Sequence, residues 1–206
     1  MNYGELKTLI ADYLHRTDLT TQIVTFIKLA QARMSHDLDL VEMEAAGTVA
    51  TVASQEYASV PSGMIKLLSI KAPSNGGYVI LEQDTLMGVS VRNSGGATGI
   101  PEYYARHADR FYFSPIPSEI LSLPVLYLSR FTNFTADADT DDLLTNHPNV
   151  YVYATMLEAL PFLVDAKNTW KDLYAMEVAT LNNLAQETRW SGGPLVMGTR
   201  WGVTIR

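Results

Sequence analysis

Hydrophobic residues recur at helical spacing in the first 40 residues and predict two helices. The first begins behind Asn2, which has the three-residue spacing from Glu5 of a capping box, and its apolar face starts at Leu6. The second helix can be capped by Asp18 or Thr20. Its buried face is expected to consist of Ile23, Phe26, Ile27, Ala30, Met34 and Leu38.

The strongest apolar pattern in the chain covers residues 148–164. These residues carry a single charge, Glu158, and predict a central helix that other elements cover on several sides. Pro148 suits the first turn of this helix, and Asn146 is placed to cap it. Pro161 is expected to break or kink the helix, because an interior proline removes a backbone hydrogen bond and clashes with the preceding turn.

A further helical pattern extends to Trp190 and predicts a hairpin with the central helix, turning at residues 165–168. The apolar side of this last helix comprises Trp170, Leu173, Tyr174, Leu181 and Leu184. The two N-terminal stripes need a partner, and the nearest helical surface of comparable apolarity is the hairpin at residues 148–188. We therefore predict that residues 1–41 and 145–190 form a discontinuous four-helix bundle.

Between the helical ends, alternating and β-branched segments are separated by Gly, Pro, Ser and Asn. Residues 84–91 are ambiguous and fit one or two helical turns. The other segments predict seven short strands, at residues 43–52, 57–60, 65–72, 78–81, 103–107, 110–114 and 125–131. The predicted fold class is α+β, with an antiparallel β domain at residues 42–144 inserted into the helical bundle.

Composition narrows the possible functions. The 206 residues contain no cysteine, which excludes disulfides and thiolate metal sites. The formal net charge is −7, and 15 scattered Lys and Arg residues are a poor basis for gripping nucleic-acid phosphates. A surface that repels DNA still suits the wall of a channel through which DNA slides. No apolar segment approaches the roughly 20 residues of a membrane span, and the amphipathic N-terminus is unlike a secretory signal.

Asp137, Asp139, Asp141 and Asp142 form an acidic loop whose alternating carboxylates resemble the start of an EF-hand. An EF-hand requires Gly at the sixth position and Glu at the twelfth, whereas this chain has Asp142 and Pro148 there. The pattern therefore indicates a solvated acidic loop that leads into the central helix. A weak, nonspecific cation site remains open as the minor interpretation.

No motif indicates catalysis. The four histidines, His15, His36, His107 and His147, lack the spacing of metal ligands on one helix or turn. The glycine-rich segment at residues 93–99 lacks the lysine of a phosphate-binding loop, and no serine lies in a hydrolase elbow. We expect neither an enzyme nor a bound cofactor or metal.

Residues 191–206 follow a glycine-rich break and are expected to form an extended C-terminal arm. Trp201, Val203 and Ile205 alternate with Arg200 and Arg206 and intervening small residues, which is the periodicity of a strand. A strand isolated behind a glycine hinge needs the edge of another sheet to pair with.

A set of short motifs follows in order along the chain. They are Phe26-Ile27-x-Leu29-Ala30-Gln31-Ala32-Arg33-Met34, Val60-Pro61-Ser62-Gly63, Gly99-Ile100-Pro101-x-x-Tyr104-Ala105, Phe111-x-Phe113-x-Pro115-x-Pro117 and Leu143-Leu144-x-x-x-Pro148-x-x-Tyr151-x-Tyr153-Ala154. In order and spacing this set resembles the phage head-to-tail adaptor proteins, the group that includes the tail tubular protein A of podoviruses. The resemblance covers nearly the whole chain, and the arm matches least well.

The resemblance implies a structural virion protein of the neck between capsid and tail, assembled in the host cytoplasm. Such adaptors form a ring, commonly of twelve subunits, beneath the portal, extend the DNA channel and offer an attachment surface to the tail or nozzle protein. DNA passes through without specific binding, and no membrane is involved. The resemblance also implies that the arm docks on the portal, through Leu195, Arg200, Trp201, Val203, Ile205 and Arg206. The acidic loop then becomes a candidate channel-facing element.

An alternative function uses the aromatic residues of the β region. Tyr103, Tyr104, Phe111 and Tyr112 would serve a ligand- or carbohydrate-binding module carried on a helical stalk, if their rings were exposed beside convergent polar groups. Burial of these four rings would remove this interpretation.

Overall fold

The computed structural model describes residues 1–74, 76–163 and 169–190. Its helices are α1 (Tyr3–Leu14), α2 (Thr20–Asp37), α3 (Leu86–Asn93), α4 (Asp142–Asn146), α5 (Pro148–Leu163) and α6 (Thr169–Trp190), and a 3-10 turn covers Val41–Met43. Its strands are β1 (Glu44–Ala50), β2 (Tyr57–Ser59), β3 (Met64–Ser74), β4 (Gly77–Ile80), β5 (Glu82–Gln83), β6 (Thr98–Gly99), β7 (Tyr103–His107), β8 (Arg110–Ser114), β9 (Ile116–Pro117) and β10 (Ser122–Ser129).

The mixed α+β class is confirmed, and each of the seven predicted strands overlaps an observed one. One sheet has the strand order β1-β10-β3-β4 and is antiparallel throughout. The second has the order β2-β8-β7-β5, in which only the short β5–β7 pair is parallel, and β6 and β9 form a further parallel pair. The strand β5 follows β4 after one residue, Leu81, so its direction is inherited from the first sheet.

The two N-terminal helices begin differently. The Asn2 side chain accepts a hydrogen bond from the Glu5 amide at 2.8 Å, and the Glu5 carboxylate accepts one from the Asn2 amide at 2.9 Å, which confirms the capping box of α1. The expected cap of α2 is wrong, because Leu19 holds that position with no side-chain hydrogen bond. Leu19 is buried in the core, while the Asp18 carboxylate binds the Arg16 guanidinium at 2.7 Å.

The helix α5 is the central helix of the fold, as predicted. It begins at Pro148, packs against α1, α2, α4 and α6, and has a fully buried Tyr151 in its first turn. Two local predictions need correction. Asn146 is the last residue of α4 and not the cap of α5, and the helix is not broken at Pro161, because it continues to Leu163. The alternative outcome, a kink at Pro161, stays a prediction. The predicted turn at residues 165–168 lies outside the described residues.

Helices from both ends of the chain share one hydrophobic core. All six apolar residues predicted for the buried face of α2 are buried. Polar contacts add to this packing: the Tyr174 hydroxyl of α6 donates to the Asp37 carboxylate at 2.9 Å, and the Asn182 amide bridges the Asp37 carbonyl and the Asp39 amide, both at 2.9 Å. Because an amide with both of its groups bonded to backbone fixes orientation, Asn182 sets the register of α6 against the end of α2.

A second hydrophobic cluster fills the space between the two larger sheets. Its fully buried members are Ile70, Phe111, Phe113 and Leu123. The two clusters meet where Leu128, at the end of β10, packs into the helical core. Arg189 of α6 supports this junction by binding the carboxylates of Asp39 at 2.7 Å and Glu44 at 2.8 Å. The domain division at residues 42 and 145 remains a prediction.

Candidate functional site

The residues predicted to dock on the portal, Leu195, Arg200, Trp201, Val203, Ile205 and Arg206, lie outside the described residues. The acidic loop and the surfaces of both sheets lie within them and can be assessed side by side. Among the described residues, no helix is both long and apolar enough to cross a membrane, and no three His, Asp or Glu side chains are grouped to hold a metal ion.

Asp139 folds the acidic loop back on itself. Its carboxylate accepts hydrogen bonds from the Thr135 amide at 2.7 Å, the Ala136 amide at 2.8 Å and the Thr135 hydroxyl at 3.1 Å. The hydrogen bonds from the backbone amides of Ala136 and Thr135 hold the pKa of this carboxyl below its ordinary value, because they stabilise the charged form. Asp139 is therefore a structural residue of the loop.

Asp141 connects the loop to the helical core. One carboxylate oxygen caps α4 by accepting from the Leu144 amide at 2.6 Å, and the other accepts a short hydrogen bond from the hydroxyl of Tyr151. Burial, together with the neighbouring Asp141 charge, raises the pKa of Tyr151 well above its ordinary value, so the hydroxyl stays protonated and remains a donor. The Asp141 carboxylate thus satisfies a polar group in the interior.

The backbone of the same loop completes the start of α1. The first amide groups of a helix have no partner within the helix. Here the Tyr3 amide donates to the Asp139 carbonyl at 2.8 Å and the Gly4 amide donates to the Asp137 carbonyl at 2.9 Å. The Asp137 carboxylate adds an exposed ion pair with Lys7 at 2.6 Å. Three of the four predicted acidic residues therefore have defined roles inside the fold, and Asp142 lies exposed in the first turn of α4.

Among the described residues, the hairpin formed by the end of β3 with β4 exposes three consecutive apolar side chains. Its outer strand β4 lies at the edge of the first sheet and, within that part of the chain, pairs only with residues 71–74 of β3, beyond the last β10 pair at Ile70. The side chains of Tyr78, Val79 and Ile80 are 62%, 56% and 61% exposed. We call β4 and residues 71–74 the exposed hairpin. Sequence analysis predicted its strands but not its exposure.

A signal for this exposure was present in the sequence. A strand with one buried face alternates apolar and polar residues, whereas Tyr78, Val79 and Ile80 are consecutive. Consecutive apolar residues place side chains on both faces of an edge strand that is covered on neither. Two exposed side chains on α3, Met87 and Val91, add to the apolar surface that the β region offers to solvent.

The aromatic residues named for the alternative function have little free ring surface. Phe111 is fully buried and packs against Tyr104, with ring centroids 6.0 Å apart. Tyr103, Tyr104 and Tyr112 are half-buried, and the Arg92 guanidinium lies over the Tyr103 ring at 3.9 Å. These contacts resemble a hydrophobic core with polar edges and disfavour a ligand-binding platform.

A groove of about 840 Å³ lies at the base of the helical region, between the end of α6, α4 and residues 129–135. Its apolar lining includes Leu40, Met43, Phe131, Phe134, Leu143, Leu181 and Leu184. Leu184 was predicted to lie on the buried side of α6, yet it is 52% exposed, because it lines the groove and no element among the described residues covers it.

Two filled hydrophobic cores with an uncovered apolar strand and groove are features of a protein that assembles with other proteins. Comparison with protein families agrees: the model described as SU10 adaptor protein matches residues 1–198. The chain therefore belongs to the SU10 adaptor protein family, a phage head-tail adaptor family. Such families are structural and generally non-enzymatic. No curated protein matches the chain.

Proposed function

We propose that this chain is the head-to-tail adaptor of a phage virion, forming a ring of commonly twelve subunits beneath the portal. The ring extends the DNA channel and presents the attachment surface for a tail or nozzle protein in the neck, after assembly in the host cytoplasm. The observation that carries the proposal is the family match over residues 1–198. The shared core of α1, α2, α5 and α6 supports a four-helix bundle as the rigid part of each subunit.

The portal contact is assigned to the arm, residues 191–206. Its alternating Trp201, Val203 and Ile205 suit strand addition, in which backbone hydrogen bonds supply affinity and alternate side chains fill pockets. The aromatic Trp201 is the residue type most enriched among binding hot spots.

The contact between neighbouring copies is assigned to the exposed hairpin. Copies that each carry a net charge of −7 repel one another, so a ring contact is best made through a patch free of carboxylates. Residues 71–80 contain one Lys and no Asp or Glu. A ring is built from head-to-tail contacts between two different patches, and an unpaired edge strand provides one of them.

The acidic character of the chain suits a channel that DNA traverses without binding. Of the four residues in the acidic loop, Asp137 and Asp142 are exposed and are the ones we propose to face the channel. Asp139 and Asp141 are hydrogen-bonded within the fold. They would add to the negative potential of the channel without contacting the DNA.

Electron microscopy of the chain mixed with its purified portal tests this function directly. We expect a ring of density beneath the portal, and no such density with a chain truncated after Trp190. The matched control is the substitution Met176→Ala at an exposed site on α6, which should leave the ring intact. Portal particles without added density for the full-length chain would overturn the adaptor assignment, and unchanged density for the truncated chain would overturn the docking role of the arm.

The isolated chain is expected to be monomeric or weakly associated and to form the ring only on the portal. Light scattering checks this expectation. A stable ring at micromolar concentration without portal would contradict it.

A further inference from the structure

The groove at the base of the helical region combines an apolar floor with an acidic rim. Five carboxylates line it, from Glu42, Glu44, Asp139, Asp141 and Asp142, against a single arginine, Arg130. Glu44, Asp139 and Asp141 are engaged by Arg189, the loop amides and Tyr151. Glu42 and Asp142 are exposed, and neither is paired with a cation among the described residues. The groove therefore suits a segment that is apolar and positively charged.

One segment of this chain has that composition. Residues 191–206 contain two arginines, Arg200 and Arg206, and no Asp or Glu, although the whole chain carries a net charge of −7. The same residues include Leu195, Val196, Met197, Trp201, Val203 and Ile205. The apolar side chains of the arm thus match the apolar floor of the groove, and its two arginines match the acidic rim.

The connection between α6 and the arm brings the two together. Leu184, Ala185 and Thr188, in the last two turns of α6, line the groove, and Arg189 is held beside it by Glu44 and Asp39. The arm starts directly after Trp190. Ten residues separate Trp190 from Trp201, and the eleven steps of extended chain span at most roughly 40 Å, which leaves ample length to turn back into a groove adjoining the helix end.

We propose that the groove binds residues 195–206 of the chain's own arm when the subunit is unassembled, with Arg200 and Arg206 at the acidic rim. Bound there, the arm covers Leu184 and the apolar floor, and the groove shields Trp201, Val203 and Ile205 from solvent and from other copies. Releasing the arm from the groove would then require free energy, which a partner that binds the arm more tightly than the groove does would supply. The inference concerns the free chain and is independent of the portal proposal.

Disulfide trapping in the full-length chain tests the proposal, because the native sequence has no cysteine. Leu184→Cys is combined in turn with Trp201→Cys, Val203→Cys or Ile205→Cys, and mild oxidation is followed by non-reducing electrophoresis. We expect at least one pair to form an intramolecular disulfide at least tenfold faster than the same arm position paired with Met176→Cys. Met176 is 69% exposed on α6, about 12 Å along the helix from Leu184, and does not line the groove.

Equal rates for the Leu184 and Met176 pairs would overturn the proposal. A predominantly intermolecular disulfide would overturn it too, by assigning the groove to the arm of a second copy. Charge reversal provides a separate check that needs no portal: Glu42→Lys combined with Asp142→Lys should slow trapping at low salt several-fold. Trapping that is unaffected by both reversals would contradict the assignment of Arg200 and Arg206 to the acidic rim.

Discussion

In both the acidic loop and the exposed hairpin, the location of the side chains is the opposite of what their composition suggests. The loop at residues 137–142 is rich in charge, yet its groups bind within the fold: Asp141 caps α4 and accepts from buried Tyr151, and loop carbonyls complete α1. The hairpin has the composition of a core strand, yet Tyr78, Val79 and Ile80 are more than half exposed.

The difference shows why the number of charged residues in a segment is a poor predictor of whether that segment contacts other proteins. A carboxylate at a helix start or beside a buried hydroxyl accepts hydrogen bonds from its own subunit. Removing it leaves a hydrogen-bond donor without a partner in the interior. An exposed apolar edge strand has no such internal role and is usually blocked by charge or by proline to prevent aggregation. The strand β4 carries neither, which is why we propose that a neighbouring copy covers it.

The largest effect is expected when the loop loses Asp141. Asp141→Ala should lower the free energy of unfolding by about 2–4 kcal/mol, since it removes a helix cap worth about 1 kcal/mol and leaves the hydroxyl of Tyr151 without its acceptor. Urea denaturation measures the change. The adjacent Asp142→Ala is the matched control and should stay within about 0.5 kcal/mol. Similar losses for both variants would show that overall loop charge, and not one carboxylate, holds the region.

Substitutions in the exposed hairpin should weaken assembly and leave the stability of the subunit unchanged. Val79→Ser combined with Ile80→Ser is expected to leave urea stability within about 0.5 kcal/mol, because both side chains are already exposed. Assembly of rings on the portal should weaken at least tenfold, equivalent to about 1.4 kcal/mol. Sedimentation of adaptor–portal mixtures measures this. Leu29→Ser, at a similarly exposed position on α2, is the control, and a comparable loss for that variant would remove the special role of the hairpin.

The contribution of Asp139 to stability should depend on pH. The folded-state pKa of Asp139 is lowered, so its contribution to stability is complete above its ordinary pKa of 3.8 and is lost as the pH falls through the folded value. Asp139→Asn should therefore be less stable than the native chain at pH 7, with the difference shrinking as the pH falls below 3.8. Urea midpoints at a series of pH values measure it. A difference that does not change with pH would exclude the ionised carboxylate as its cause.

The smallest effect is expected at Asp137. Its carboxylate is exposed and pairs with Lys7, whereas its structural contribution is the backbone carbonyl that Gly4 uses. Asp137→Asn keeps that carbonyl and should change the free energy of unfolding by no more than about 0.5 kcal/mol, as is typical of exposed ion pairs. A loss as large as that of Asp141→Ala would place the side chain, and not the backbone, at the centre of the loop.

Sequence patterns predicted the elements well where the signal is local. The stripe of α2, the capping box at Asn2 and Glu5 and the central helix from Pro148 all follow from local patterns. Seven strands were also located, because β-branched segments separated by glycine and proline are a local signal. Missing from these predictions were the two-residue strands β5, β6 and β9 and the short helix α4, which are too short to have a period.

The surfaces were harder to predict because their state depends on distant partners. Leu184 continues the apolar stripe of α6, and its exposure follows from the shape of a groove whose other walls come from residues 40–45 and 129–147. Tyr151 and Asp141 are ten residues apart, and no pattern in the sequence announces that a buried hydroxyl meets that carboxylate. Exposure and polar pairing are tertiary properties, whereas helix and strand periods are local ones.

The most direct test of the contrast between loop and hairpin is a reconstruction of the adaptor–portal assembly at side-chain resolution by electron cryomicroscopy. We expect Tyr78, Val79 and Ile80 to be buried against a neighbouring copy, with Asp141 still bound to Tyr151 inside each subunit. A ring in which the hairpin stays in solvent while Asp139 and Asp141 leave the fold to contact neighbours would contradict it.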